Sequence, residues 1–295
     1  MKVDVKKLDK LKRAITVEVS GEDFLKEKRD TFTDIGKKLK VSGFRPGTAP
    51  LDVLEKYHGT TLKEEFLKKV IPGYYQKAIE ETKLFPVVMP RIYDVELLKD
   101  RMFFSAEFEV KPEVDVKDDD YIGIKVKDLE AKVKDDEIKK VVDNLKGGVK
   151  KVIEKDLDDA QIANWAGYSN FDVFKDAISA EIKIEKLRDR RVKITNQITA
   201  HLIKAVKIEV SKEEIQRHHK ELVNREIYNL QTRGIGAADI EKYKKDIEEK
   251  LKDIAENEIK VIYILEAIAN KENIKITNNL GEVVLGFLFS KAKYT

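Results

Sequence analysis

The sequence contains no cysteine. That excludes disulfides, thiolate nucleophiles and cysteine-ligated zinc, and it suits a reducing cytoplasm. No run approaches the roughly 18 apolar residues that a membrane span requires, and Met1-Lys2-Val3-Asp4-Val5 lacks the apolar core of a signal peptide. The expectation is a soluble, cytoplasmic protein without a membrane partner. No Gly-x-x-x-x-Gly-Lys phosphate loop is present, and Gly234-Ile235-Gly236 lacks the third glycine and the preceding strand of a dinucleotide site, so ATP-driven work is not expected. His218 and His219 with Glu214 could suggest a metal cluster, but adjacent residues on a helix point about 100° apart and zincin spacing is missing. They read as surface or half-buried histidines. No catalytic residue, metal or cofactor is called. Nor is there an excess of one charge: 58 Lys and Arg stand against 55 Asp and Glu, and a net charge of +3 argues against a DNA or general nucleic-acid binder.

What is there is helix. Charged residues make up 38% and apolar residues 42% of 295, a balance that fits elongated helices with large solvated faces, in about two domains. Period-two alternation from Val3 to Ser20 predicts a hairpin. Ser20, ahead of Glu22 and Asp23, reads as the cap of a helix carrying Phe24, Leu25, Phe32, Ile35 and Leu39. A short helix from Leu51 should stop at Gly59, and a longer one from Thr61 should kink or split at Pro72-Gly73. Residues 86–97 and 102–110 read as strands. Lys111 to Asp128, headed by Pro112, suit an extended linker. A helix from Asp135 bears Ile138, Val141, Val142 and Leu145 and should stop at Gly147-Gly148. Asn170 caps a long helix through Phe171, Phe174, Ile178, Ile182, Leu187, Ile194, Ile198 and Leu202. Ser211 with Glu214 forms a capping box, residues 233–236 turn the chain, and a last long helix from about Asp239 carries Ile240, Tyr243, Ile247, Leu251, Ile254, Ile262 and Leu265. Two short apolar-polar segments, 205–210 and 272–276, echo each other.

Between the first two helices lies Gly43-Phe44-Arg45-Pro46-Gly47-Thr48-Ala49-Pro50. Two glycines and two prolines within eight residues force a sharply bent loop. Composition alone allows a plain connector with Phe44 tucked into a core. The segment resembles the ribosome-docking signature of trigger factor, Gly-Phe-Arg-x-Gly-x-x-Pro, which Gly43, Phe44, Arg45, Gly47 and Pro50 match. Phe108 to Val114 likewise resembles that family's exit from its ribosome-binding domain, and the capped helices from about Asn170 to Ala269 resemble its substrate-cradling arms.

The resemblance implies an α+β ribosome-binding domain over 1–111, a linker with a short helix over 112–156, an elongated all-α substrate-binding arm domain over 157–279 and a short apolar tail over 280–295. It implies an ATP-independent chaperone with two partners, the large ribosomal subunit near the exit tunnel and nascent or unfolded polypeptides, and it leaves room for a weak homodimer. Ribosome contacts would come from Gly43, Phe44, Arg45, Pro46, Gly47 and Pro50, with Lys37, Lys38 and Lys40 either assisting or forming a solvated helix face. Client contacts would involve Trp165, Tyr168, Phe171, Phe174, Tyr228 and Tyr243, although Trp165 and Tyr168 beside Gly167 more readily seat the base of the first arm. Alternatives are a ribosome-docked scaffold for one dedicated partner and a cryptic peptidyl-prolyl isomerase.

The sequence departs from the family pattern at three places. The FKBP-type isomerase domain usual between linker and arms has no room, because Lys150 to Lys155 run straight into Asp158-Asp159-Ala160 and a domain needs at least ~50 residues. The segment after Ile276 is short, and its apolar stretch 283–289 either packs on the arms or serves as a client-binding tail. Pro46 and Thr48 stand where many relatives carry lysine, so docking should lean on Phe44 burial.

Overall fold

The computed structural model describes residues 1–45, 47–128, 130–275 and 279–295. In chain order its elements are β1 (Lys2–Lys7), β2 (Lys12–Ser20), α1 (Glu22–Gly36), α2 (Leu51–Thr82), β3 (Arg91–Leu97), β4 (Arg101–Glu109), α3 (Asp118–Tyr121), β5 (Lys125–Val126), α4 (Asp135–Ile153), α5 (Asp159–Trp165), α6 (Phe171–Ala205), α7 (Lys212–Thr232), α8 (Ala237–Lys271), α9 (Leu280–Lys291) and β6 (Lys293–Tyr294). They form two compact units. One holds Met1–Glu113 and Ile208–Ile259, the other Val114–Lys207 and Lys260–Thr295.

In the first unit an antiparallel sheet runs in the order β1-β2-β4-β3. Alternate residues of its central strands face the core: Ile15, Val17 and Val19 lie opposite Ala106, Phe104 and Met102. The helices α1 and α2 cover this face. Phe24 and Phe32 meet Phe66 edge-on, with centroids 6.0 and 5.6 Å apart. Along α2, Leu54, Leu62, Phe66, Val70 and Ala78 repeat at multiples of four and form its buried stripe.

Several expectations are corrected here. Ser20 ends β2 rather than capping α1; Gly21, at φ 107°, takes the cap position with no side-chain bond. The break in α2 falls at His58 (φ −132°, ψ 22°), one residue before Gly59, while the helix runs on through Pro72, whose exposed position costs one backbone bond and no core contact. Residues 86–90 are joined to the sheet by one isolated bridge, Pro86 to Val110, and β3 begins at Arg91.

The second unit is mostly helical. Lys111–Asp128 is no loose linker: it holds α3 and β5, and Tyr121, Ile124 and Val126 are buried. Tyr121 donates to Glu272 Oε1 at 2.5 Å, and Lys271 bonds the Val116 carbonyl and Asp118, both at 2.7 Å. Helix α4 continues through Gly147-Gly148 because Val149 extends the stripe of Ile138 and Val142 into the core with Ile162, Phe174 and Ile178. That burial outweighs the ~1 kcal/mol each glycine costs a helix. Asn170 does cap α6, its Oδ1 accepting the Val173 N–H at 3.0 Å; in the first unit, Ser211 Oγ accepts the Glu214 N–H at 3.1 Å and caps α7. Leu187 on α6 is exposed, and so, on α8, whose residues up to Ile259 belong to the first unit and the rest to the second, are Tyr243, Ile254 and Ile262. The buried face of α8 instead uses Ile240, Ala255, Ile259, Tyr263 and Ile268. The apolar tail packs: α9 buries Val284 and Leu288, and β6 pairs with β5 in parallel. Ile276, in the second of the echoing segments, lies outside the described residues.

Candidate functional site

The loop between α1 and α2 is built from its base. Gly36 is buried at the end of α1, where an added Cβ would lie 2.4 Å from Leu54 Cδ1, so a bare backbone lets the two helices meet there. Beyond it, Val41 is buried, and Leu39, Ala49 and Leu51 pack against the same core. These apolar feet hold both ends of the loop down, while Ser42 to Arg45, Gly47 and Thr48 are exposed.

Within the loop, the Phe44 N–H donates to the Val41 carbonyl at 3.2 Å, and the Thr48 N–H and Oγ1 both donate to the Arg45 carbonyl, at 3.0 and 2.8 Å. Gly43 and Gly47 sit at φ +85° and +83°, in the left-handed region that a side chain would strain. Pro50 ends the loop as the cap residue of α2, its carbonyl accepting the Leu54 N–H at 3.0 Å. Phe44 is 41% exposed and Arg45 is exposed. Among the described residues the Arg45 guanidinium has no hydrogen-bond or ion-pair partner. Phe44 is therefore not tucked into the core. Pro46 lies outside the described residues.

A feature missed from sequence supports the loop from below. His58, at the break in α2, bonds the Lys40 carbonyl through Nε2 at 3.0 Å. The carbonyl can only accept, so Nε2 carries the proton. Of the three nearby lysines, Lys37 pairs with Asp34 at 2.9 Å and holds that carboxyl below its ordinary range, while Lys38 and Lys40 stay exposed.

The residues expected to touch clients divide in two. Trp165 (54% exposed), Tyr228 and Tyr243 present aromatic surface to solvent. Phe174 is buried, its ring 5.2 Å from Tyr168 and 6.3 Å from Phe171, so this trio packs α5 and α6 together. Trp165 thus does not seat the base of the helix, and Phe174 cannot meet a client without unpacking. Tyr57, which sequence spacing puts with Leu51, Val53 and Leu54 on the apolar side of a short helix, is exposed, as is Met89 in the segment expected to be a strand; exposed Phe85 and Val152 were not singled out. His218 bonds Glu258 Oε2 and His219 the Glu248 carbonyl, each at 2.7 Å.

Comparison with known proteins places this geometry. A family model described as bacterial trigger factor protein (TF) matches residues 1–145, and one described as its C-terminus matches residues 170–280. The chain belongs to the trigger factor family. Among curated trigger factors, that of Lachnoclostridium phytofermentans is 36% identical over 148 residues, 50% of this chain and 34% of the relative. The Bdellovibrio bacteriovorus protein is 28% identical over 175 residues (57% and 40%), and the Geobacter sulfurreducens protein 36% over 123 residues (41% and 28%). The chain thus matches about a third of the length of these relatives. A solved structure reported under "Promiscuous Substrate Recognition in Folding and Assembly Activities of the Trigger Factor Chaperone" shares the fold, with a TM-score of 0.51 and 16% identity over 93% of this chain and 87% of that one. Between the two family matches lie only residues 146–169, which complete α4 and form α5. Between these two matches the chain leaves no room for a separate isomerase domain.

Proposed function

We propose that this chain is an ATP-independent chaperone that docks on the large ribosomal subunit near the exit tunnel through Phe44 and Arg45 and holds nascent or unfolded polypeptides on its helices. The observation that carries the reading is the exposed Phe44 ring beside the exposed Arg45 guanidinium, which has no partner among the described residues, inside the segment matched by the N-terminal family model. Covering the exposed part of one phenyl ring contributes about 1 kcal/mol, and a single cation adds a salt-sensitive increment. These two contacts alone fall well short of the roughly 8 kcal/mol that a micromolar Kd requires, so docking on this reading is weak, reversible and shared with neighbouring loop surface. Holding needs no fuel on this reading: Trp165, Tyr228, Tyr243 and scattered aliphatics offer separate apolar contacts among charges, which delay aggregation and release spontaneously. Prolyl-isomerase chemistry has no part in it. The test is light scattering of several unrelated unfolded clients in the presence of the purified chain. Suppressed aggregation of most of them is expected, whereas protection of a single client would favour a dedicated scaffold and protection of none would overturn holding.

A further inference from the structure

In the second unit, residues 293–295 lie along β5 as a parallel strand, Lys293 opposite Lys125 and Tyr294 opposite Val126. The contact is made by backbone. The Lys293 N–H donates to the Ile124 carbonyl at 2.9 Å, the Thr295 N–H to the Val126 carbonyl at 3.0 Å, and the Thr295 carbonyl accepts the Asp128 N–H at 3.1 Å. The tail residues themselves are exposed.

The opposite edge of the same segment is fixed by α6. Gln197 brackets the Lys127 residue, its Oε1 accepting the N–H at 2.7 Å and its Nε2 donating to the carbonyl at 3.1 Å. Arg190 grips Asp128 through two bonds, at 2.6 and 2.8 Å. These holds on Lys127 and Asp128 come from α6 and involve no residue of the tail. Beside the tail, the Tyr294 ring lies 5.9 Å from the Arg190 guanidinium, and its hydroxyl donates to the Phe289 carbonyl at 2.9 Å. A cavity of about 320 Å³ opens there, lined by Leu187, Arg191, Ile194, Gly286 and Phe289.

We propose that the edge of β5 is a backbone-reading slot for an extended polypeptide segment with an aromatic side chain, and that residues 293–295 fill it in cis. An incoming strand that displaces the tail regains the same three backbone bonds whatever its sequence, as in strand addition to a sheet edge, while the cavity beside Arg190 favours an aromatic at the Tyr294 position. The slot uses neither Phe44 nor Arg45, so it stands or falls apart from ribosome docking.

The tail, tethered through α9, competes at an effective concentration on the order of millimolar. Two variants release it: the chain ending at Lys291, and the full-length Lys293→Pro chain, which lacks one donor. The probe is a fluorescent, acetylated and amidated peptide copying Ser290–Thr295, read by anisotropy. Both variants are expected to bind it at least about tenfold more tightly than the full chain. N-methylation of the peptide at the lysine or threonine that copies Lys293 or Thr295 should abolish binding. N-methylation at the tyrosine should not, because strand alternation turns that amide away from β5. Tyrosine to alanine in the peptide should weaken binding. If the shortened chain fails to fold, the Lys293→Pro chain decides. A variant folded by circular dichroism that ignores the peptide, or binds the N-methylated forms equally, overturns the slot.

Discussion

At Tyr75 burial alone pushes the phenol up to about 12, and among the described residues its hydroxyl finds no hydrogen-bond partner. Tyr74 is raised by burial and by its bond to Glu27, and Tyr121 by burial and by its bond to Glu272. A tyrosine whose folded pKa lies above the unfolded value near 10 favours the folded state while it is neutral. That contribution is complete below about pH 10 and is lost as pH rises through about 12. Denaturant titrations are therefore expected to show stability flat from neutral pH to about 10 and falling above it. Absorbance of tyrosinate should reveal at least one group that ionises only as the protein unfolds; all tyrosines titrating together in the folded chain would contradict this burial. The same scale explains the loop: Gly36, Gly43, Gly47 and His58 each act through backbone, by close approach, left-handed geometry or a carbonyl bond. Gly43 and Gly47 stand out in sequence as a cluster. Gly36 and His58 do not, because their partners, Leu54 and Lys40, come near only after α1 and α2 have packed.

Whole elements are set by local chemistry at their ends and by burial in their middles. Replacing Asn170 by alanine removes the acceptor of the Val173 N–H and is expected to lower stability by about 1 kcal/mol, measured by urea unfolding; no change would show that α6 does not depend on this cap. Caps at Asn170 and Ser211 were readable because the side chain and the amide it serves are three residues apart. The ends at Gly147-Gly148 and the kink at Pro72 were misread because the deciding terms are tertiary: Val149 reaches a core made by α5 and α6, and the α2 stripe on either side of Pro72 is pinned to the sheet. The two-residue pairing of β5 with β6 has no sequence pattern, since its contacts are backbone and its partners lie over 160 residues apart.

At the scale of the molecule, the α+β sheet unit and the helical remainder were readable from alternation and helical spacing, and the lack of room for an insert between linker and arms only from the resemblance to the family. The client surface was less so: of six aromatics named for it, Trp165, Tyr228 and Tyr243 are exposed, whereas Phe174 is core. The docking account rests on Phe44 and Arg45 being exposed and, for the guanidinium, without a partner among the described residues. Its most direct test is co-sedimentation with ribosomes of the chain carrying Phe44→Ala and Arg45→Ala together, beside the unaltered chain at low and raised salt. The account predicts that the unaltered chain pellets with ribosomes, less so as salt rises, and that the folded double variant stays in the supernatant. A folded double variant that pellets as well as the unaltered chain would contradict it.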